Sequence, residues 1–132
     1  MVETLRGLQA GTLNPKPQDH AEATLAPLLT REDGRIDFQR PAREIWNRLR
    51  GFQPWPGAYT SFRGKNLHVW KAQPTNRDLP RGELFVDGER LLLGCAASTV
   101  LELLELQPEG KKRMPVRDFI HGYHPKTGEQ LG

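Results

Sequence analysis

Ten residues, RGFQPWPGAY at positions 50–59, crowd two prolines, a tryptophan and two glycines against the end of a helical pattern. Pro54 and Pro56 lack the amide hydrogen a helix needs, and a proline pushes the residue before it, here Trp55, toward extended backbone. Gly57 then permits a sharp change of direction. Upstream, RPAREIWNRLRG (40–51) sets Ala42, Ile45, Trp46 and Leu49 on one face at i, i+3, i+4 and i+7. Pro41 suits the first helical position and Gly51 a left-handed end, while Arg43, Arg48 and Arg50 fall off the apolar stripe. Helix must therefore give way to strand here, with Pro54, Trp55, Pro56 and Gly57 as a structural joint.

Beyond Ala58 the pattern becomes one of short strands and turns. AYTSFR and LHVWKA bracket GKN, and ELFVD and RLLLGCA bracket Gly88, giving two hairpins. In TVLELLELQ (99–107) the leucines at 101, 103, 104 and 106 do not alternate cleanly, which leaves a helix open, but Val100 and the position after two hairpins favour a fifth strand. Five strands joined by Gly-bearing turns predict a mainly β chain with short helices, folded as a small five-stranded OB-like Greek-key barrel. PVRDFIHG reads as a short helix begun at Pro115 and stopped by Gly122. Residues 1–11, with Val2, Leu5 and Leu8 at helical spacing and Gly11 as a stop, read as the last helix of a preceding domain. Residues 12–34, with Pro15 and Pro17, read as a linker, 35–122 as the OB-like domain, and 123–132 as a mobile tail.

Reactive groups are sparse. The four histidines, His20, His68, His121 and His124, are scattered except for HGYH, with no second Cys or acidic partner nearby, so no metal site is assigned. Ser61 and Ser98 lack the glycine frame of a nucleophile elbow, and no phosphate-binding glycine loop occurs. Glu32 with Asp33, and Glu102 with Glu105, are more simply turn and strand-face residues. The lone Cys95, in LLLGCAA, reads as a small buried hydrophobe. No catalytic residue and no bound cofactor is assigned. No apolar run approaches the roughly 20 residues of a membrane span, and a signal peptide's apolar centre is missing, so the chain is expected in the cytoplasm with no membrane partner.

Charge points elsewhere. The net charge of +3 conceals two basic blocks, 35–71 and 111–132, on either side of an acidic one, 72–110. Brought together, the basic blocks would form one positive face suited to backbone phosphates; kept apart, they would only solvate the surface. The candidate contacts are Arg35, Arg40, Arg43, Arg48, Arg50 and Lys65 in the first block and Lys111, Lys112 and Arg113 in the second. Trp55, Trp70 and Tyr59 are the candidates for stacking on bases. Trp55 is expected instead to plug the barrel's end and Trp46 to lie in the core, with Trp70 open between the two roles.

These stretches have a familiar order. LAPLLTREDGRIDFQRPAREIWNRLRGFQPWPGAYT resembles the start of the C-terminal domain of the bacterial methionyl-tRNA formyltransferase family, where an LT-EDGRIDW segment, a helix and an RG-NPWPGA joint follow one another. LQPEGKKRMPVRDFIHG continues the likeness, and LRGLQAGTLNPKPQDHAEATLAPLL is similar to the family's last catalytic-domain helix and interdomain linker. The resemblance spans residues 3–122. It implies an enzyme that moves a formyl group from 10-formyltetrahydrofolate to the methionyl amino group of initiator tRNA. Its catalytic Asn, His and Asp belong to an N-terminal domain with an SLLP motif, and its OB-like C-terminal domain holds the tRNA on a positive surface. SLLP does not occur here, so no catalytic residue carries over. The implied partners are initiator methionyl-tRNA and the N-terminal catalytic domain. Phe38 stands for the family's usual Trp, Phe52-Gln53 for Leu-Asn and Pro115 for Ser. Two rivals stay open: another folate-dependent formyltransferase or hydrolase, and a free-standing OB-type adaptor.

Overall fold

The computed structural model describes residues 2–132. Helix α1 (Val2–Gln9) is followed by extended chain with 3-10 turns at His20–Glu22 and Glu32–Gly34. Then come α2 (Ala42–Gly51), β1 (Tyr59–Phe62), β2 (Lys65–Thr75), β3 (Leu84–Asp87), β4 (Arg90–Cys95), β5 (Thr99–Pro108), β6 (Met114–Pro115) and α3 (Val116–Tyr123). Among the described residues no helix is long and apolar enough to cross a membrane.

Helix α2 forms where its apolar spacing demands and buries Ala42, Ile45 and Leu49. Burying an Ile or Leu side chain stabilises by about 1.5–3 kcal/mol, enough to hold a helix too short to persist alone. Pro41 precedes the helix in extended backbone, and the Ala42 amide donates to Thr99 Oγ1 at 2.8 Å, so β5 supplies the cap. Gly51 does not end it in the left-handed region: Phe52, with helical φ, donates its amide to the Arg48 carbonyl at 2.8 Å. The joint follows, with cis bonds before Pro54 and Pro56. Gly57, at φ 80°, donates its amide to the Phe52 carbonyl at 2.9 Å and hands the chain to β1. Gly34 lies against this joint so closely that a Cβ there would sit 2.6 Å from the Gly57 carbonyl oxygen.

The strands form one antiparallel sheet in the order β1-β2-β5-β4-β3, with β6 pairing on β5. The β1–β2 turn falls at Arg63-Gly64 (φ 51° and 74°), one residue before the GKN that the sequence suggests. The fifth strand is a strand, and its uneven leucines have a cause. Val69 pairs with Leu106 and Ala72 with Leu103, but the register slips between them, leaving Trp70 and Leu104 out of step. Leu101, Leu103 and Leu106 all reach the core despite breaking a strict alternation. With Leu67, Val69, Leu91, Leu93, Phe62 and Phe119 they form its centre. Phe119 of α3 packs edge-on to Phe62, ring centroids 5.3 Å apart.

One expectation is corrected. The sheet has six strands and is not closed into a barrel: β1 and β3 remain its unjoined edges. Residues 128–132 occupy the space between those edges. Leu84 donates its amide to the Glu129 carbonyl (2.8 Å), Leu131 to that of Gly82 (3.0 Å) and Gly132 to that of Ser61 (3.2 Å), while the Leu131 side chain is buried. Backbone pairing and the one buried side chain, Leu131, hold this segment. Arg63 reinforces it by binding the Glu129 carboxylate (2.8 and 3.0 Å) and the carbonyls of Tyr123 and His124 (3.0 and 3.2 Å).

Candidate nucleic-acid interface

The bulge in β2 decides what this surface presents. Buried Val69 and Ala72 face the core, while the half-buried Trp70 and the exposed Lys71 stand side by side between them. A bulge re-aims side chains, and here it lets two consecutive residues face outward. Trp70 is held by its indole N–H, which donates to Gln107 Oε1 at 2.8 Å, and by Gln53, whose Nε2 donates to the Trp70 carbonyl at 2.6 Å. Across a shallow groove from Trp70 and Lys71 lie Trp46 and Arg50 of α2.

Both tryptophans of the groove carry guanidinium groups: two on Trp46 and one on Trp70. Arg50 lies 3.8 Å and Arg43 4.8 Å from the Trp46 ring centre, and Arg113 lies 5.1 Å from that of Trp70. A guanidinium laid flat on an aromatic face keeps its N–H edge available to a phosphate while losing less side-chain freedom on binding. Arg113 also pairs with Glu105, whose other oxygen takes Lys71 Nζ at 2.7 Å. Lys71 above all, then Arg113, holds the Glu105 carboxyl below its ordinary range. The two basic blocks thus meet: Arg50 and Lys71 of the first line the groove with Arg43 on the Trp46 ring, and Arg113 of the second shares Glu105 with Lys71 and lies on the Trp70 ring.

The other nominated cations divide by their partners. Arg40 is occupied by Asp37 (3.4 Å) and Glu44 (3.0 Å). Arg48 is turned inward, donating to the Asp33 carbonyl at 3.1 Å and covering Phe52 at 4.7 Å. Arg35 is exposed beside Tyr59, and Lys112 is exposed next to Arg113. Lys65 and Lys111 line a separate cavity at the far end of β2. Lys71 was missed among the sequence candidates, since only the bulge turns it outward beside Trp70. His68 lies between Tyr59 (5.9 Å) and Trp70 (6.4 Å), and burial, followed by the charge of Arg31, lowers its pKa.

Trp55 does not plug the end of the fold: it is 58% exposed. Pro56 is the buried member of the joint, which leaves the preceding ring outside. Trp46 is half-buried at the margin of the core, not within it. Cys95 is buried as expected, and burial pushes its thiol up to about 12. No group of three or more His, Cys, Asp or Glu residues that could hold a metal occurs among the described residues.

Fold and surface together define a small antiparallel β domain with an arginine-rich, tryptophan-lined groove. Residues 28–124 match the family described as formyl transferase, C-terminal domain, and the chain belongs to that family. The methionyl-tRNA formyltransferase of Koribacter versatilis (strain Ellin345) is 57% identical over 132 residues, covering 100% of this chain and 42% of that protein. That of Bacillus subtilis (strain 168) is 40% identical over 136 residues, with 100% and 43% covered. The chain therefore spans less than half the length of these relatives. Among solved structures, a variant of HypX from Aquifex aeolicus superposes with a TM-score of 0.60 at 19% identity, covering 98% of this chain and 23% of that one. HypX in complex with tetrahydrofolic acid gives 0.55 at 20% identity, covering 90% and 22%. At such identities the likeness bears on the fold alone.

Proposed function

We propose that this chain is the tRNA-binding C-terminal part of a methionyl-tRNA formyltransferase. The full-length enzyme, in the cytoplasm, would transfer a formyl group from 10-formyltetrahydrofolate to the methionyl amino group of initiator tRNA. The observation that carries this reading is the 57% identity along the whole chain to a protein of that name. In this division of labour the folate and the reacting atoms belong to an N-terminal catalytic domain. Residues 1–11 are the end of that domain, 12–34 the linker and 35–122 the binding domain. The exposed stripe Val2, Leu5 and Leu8 of α1 suits packing against such a domain. The OB-like description rests on the five-strand path, with residues 128–132 lying where a barrel would close.

The groove would follow RNA backbone. Arg43, Arg50 and Lys112 supply cations with no carboxylate within 4.0 Å among the described residues, while Trp46 and Trp70 fix the positions of their neighbours. Binding of initiator tRNA is measured over a salt series, by this chain and by the chain rejoined to a relative's catalytic domain. Each lost contact in Arg50→Ala or Lys112→Ala should reduce the log–log salt slope by roughly 0.7–0.9 and weaken different tRNAs alike. An unchanged slope in the double variant would mean that these charges only solvate the surface. Formyl transfer is expected from the rejoined protein and not from this chain alone.

A further inference from the structure

Gln107 of β5 ties together pieces of the groove that come from separate parts of the chain. Its Oε1 accepts the Trp70 indole N–H at 2.8 Å, and its Nε2 donates to the Lys111 carbonyl at 2.9 Å. An indole N–H can only donate and a carbonyl can only accept, so the two partners together require one acceptor and one donor on the same side chain. A carboxamide supplies both, and its orientation is fixed by them; a carboxylate or an ammonium supplies one. The β2–β5 ladder puts it in place. Gln107 pairs directly with His68, and Trp70, two residues further along β2, reaches it diagonally. From the other side Gln53 of the joint donates to the Trp70 carbonyl at 2.6 Å, so the joint, β2, β5 and the Lys111 backbone form one connected set.

Lys111, Lys112 and Arg113 cross from β5 to β6, and all three are exposed. The turn ahead of them is closed by the Lys111 amide, which donates to the Pro108 carbonyl at 3.0 Å, and strand pairing resumes at Met114 opposite Leu106. Between those two points the Gln107 side chain holds the backbone of the loop. The Arg113 guanidinium, at the loop's far end, lies over the same Trp70 ring that Gln107 fixes. We infer that Gln107 is a positioning residue for RNA binding: by bonding Trp70 and Lys111 at once, it keeps Lys112 and Arg113 in register with the Trp70 side of the groove. The role presupposes that RNA backbone follows the groove, as proposed above. Gln107 itself need touch no RNA, because a loop held beforehand leaves Lys112 and Arg113 less freedom to lose when they meet phosphate.

Gln107→Met keeps the length of the side chain and removes both bonds. Nuclear magnetic resonance of the variant should show lower heteronuclear NOE values at Lys112 and Arg113, and a Trp70 indole proton that is shifted and exchanges faster. Binding of initiator tRNA should weaken about three- to tenfold, the worth of one such bond. The same substitution is then made in a chain that already carries Lys112→Ala and Arg113→Ala. If Gln107 acts through those two residues, its loss should there cost less than about twofold. Gln107→Glu still accepts from Trp70 but sets a second acceptor against the Lys111 carbonyl, so it should loosen the loop and leave the indole proton bonded; it carries the test of loop order if Gln107→Met does not fold. An equal loss of affinity in both backgrounds, or a loop as ordered in the variants as in the parent, would overturn the role of Gln107 and leave the reading of the groove standing. A loosened loop with tRNA binding unchanged, both in Gln107→Met and in the Lys112→Ala, Arg113→Ala chain, would mean that RNA does not use this loop, and both readings would fall together.

Discussion

Glu105 sits between Lys71 and Arg113 and cancels part of the charge that the groove presents, so removing it should tighten tRNA binding. Glu105→Gln keeps the shape of the side chain and leaves Trp70 and Gln107 in place. It adds one net positive charge where the two basic blocks meet. If that charge reaches a phosphate, the salt slope steepens by roughly 0.7–0.9. Over the tenfold span from 1 M to 0.1 M salt such a change amounts to about 5- to 8-fold tighter binding at the lower concentration. Acidification does not mimic the substitution: its cations hold the Glu105 carboxyl below its usual range, so it stays charged as pH falls through that range. Nitrocellulose filter binding of labelled initiator tRNA at five salt concentrations measures both numbers. Unchanged affinity and slope would show that RNA does not cross this groove. Weaker binding would show that the carboxylate is needed to set Arg113 in position, and would refute the reasoning equally.

Three further outcomes are expected. Gly94→Ala would place a Cβ 1.9 Å from the Pro80 carbonyl oxygen, against the Leu79–Pro80 backbone, and should cost about 3 kcal/mol, read as a lower urea midpoint; a midpoint equal to that of the parent would contradict the packing. Arg63→Ala should speed amide exchange at Leu84, Gly128 and Leu131 about tenfold while moving the global midpoint little, and unchanged exchange would mean that the backbone ladder alone holds the C-terminal segment. His68 has its pKa lowered in the fold, so between that value and about 6.5 the unfolded chain binds more protons; stability is fully present above this window and lost as pH falls through it. His68→Gln should flatten that part of the urea-midpoint profile between pH 7.5 and 5, and an identical profile would remove His68 as its source.

What the sequence disclosed and what it hid follow the range of the interactions involved. Helix α2, the joint after it and both hairpins depend on apolar spacing, proline and glycine within a dozen residues, and each is legible as such. The C-terminal segment is held by backbone bonds to residues more than forty positions away and by one buried leucine, so its composition carries little trace of its order. Barrel closure fails as an inference for the same reason, since counting strands does not say which edges the last residues will cover. The bulge is an intermediate case. The leucines at 103, 104 and 106 that refuse to alternate are its mark on β5, yet only the pairing across to Val69 and Ala72 shows that the phase slip is matched on β2. That slip turns Trp70 and Lys71 outward together and brings them to Arg113. Charge clustering could nominate Arg50 and Arg113 as candidates, but their arrangement depends on Trp46 and on a register that no local pattern displays. The groove is therefore a product of the bulge as much as of the basic blocks, and a change that restores regular pairing in β2 should disperse its charges without altering the composition of the surface.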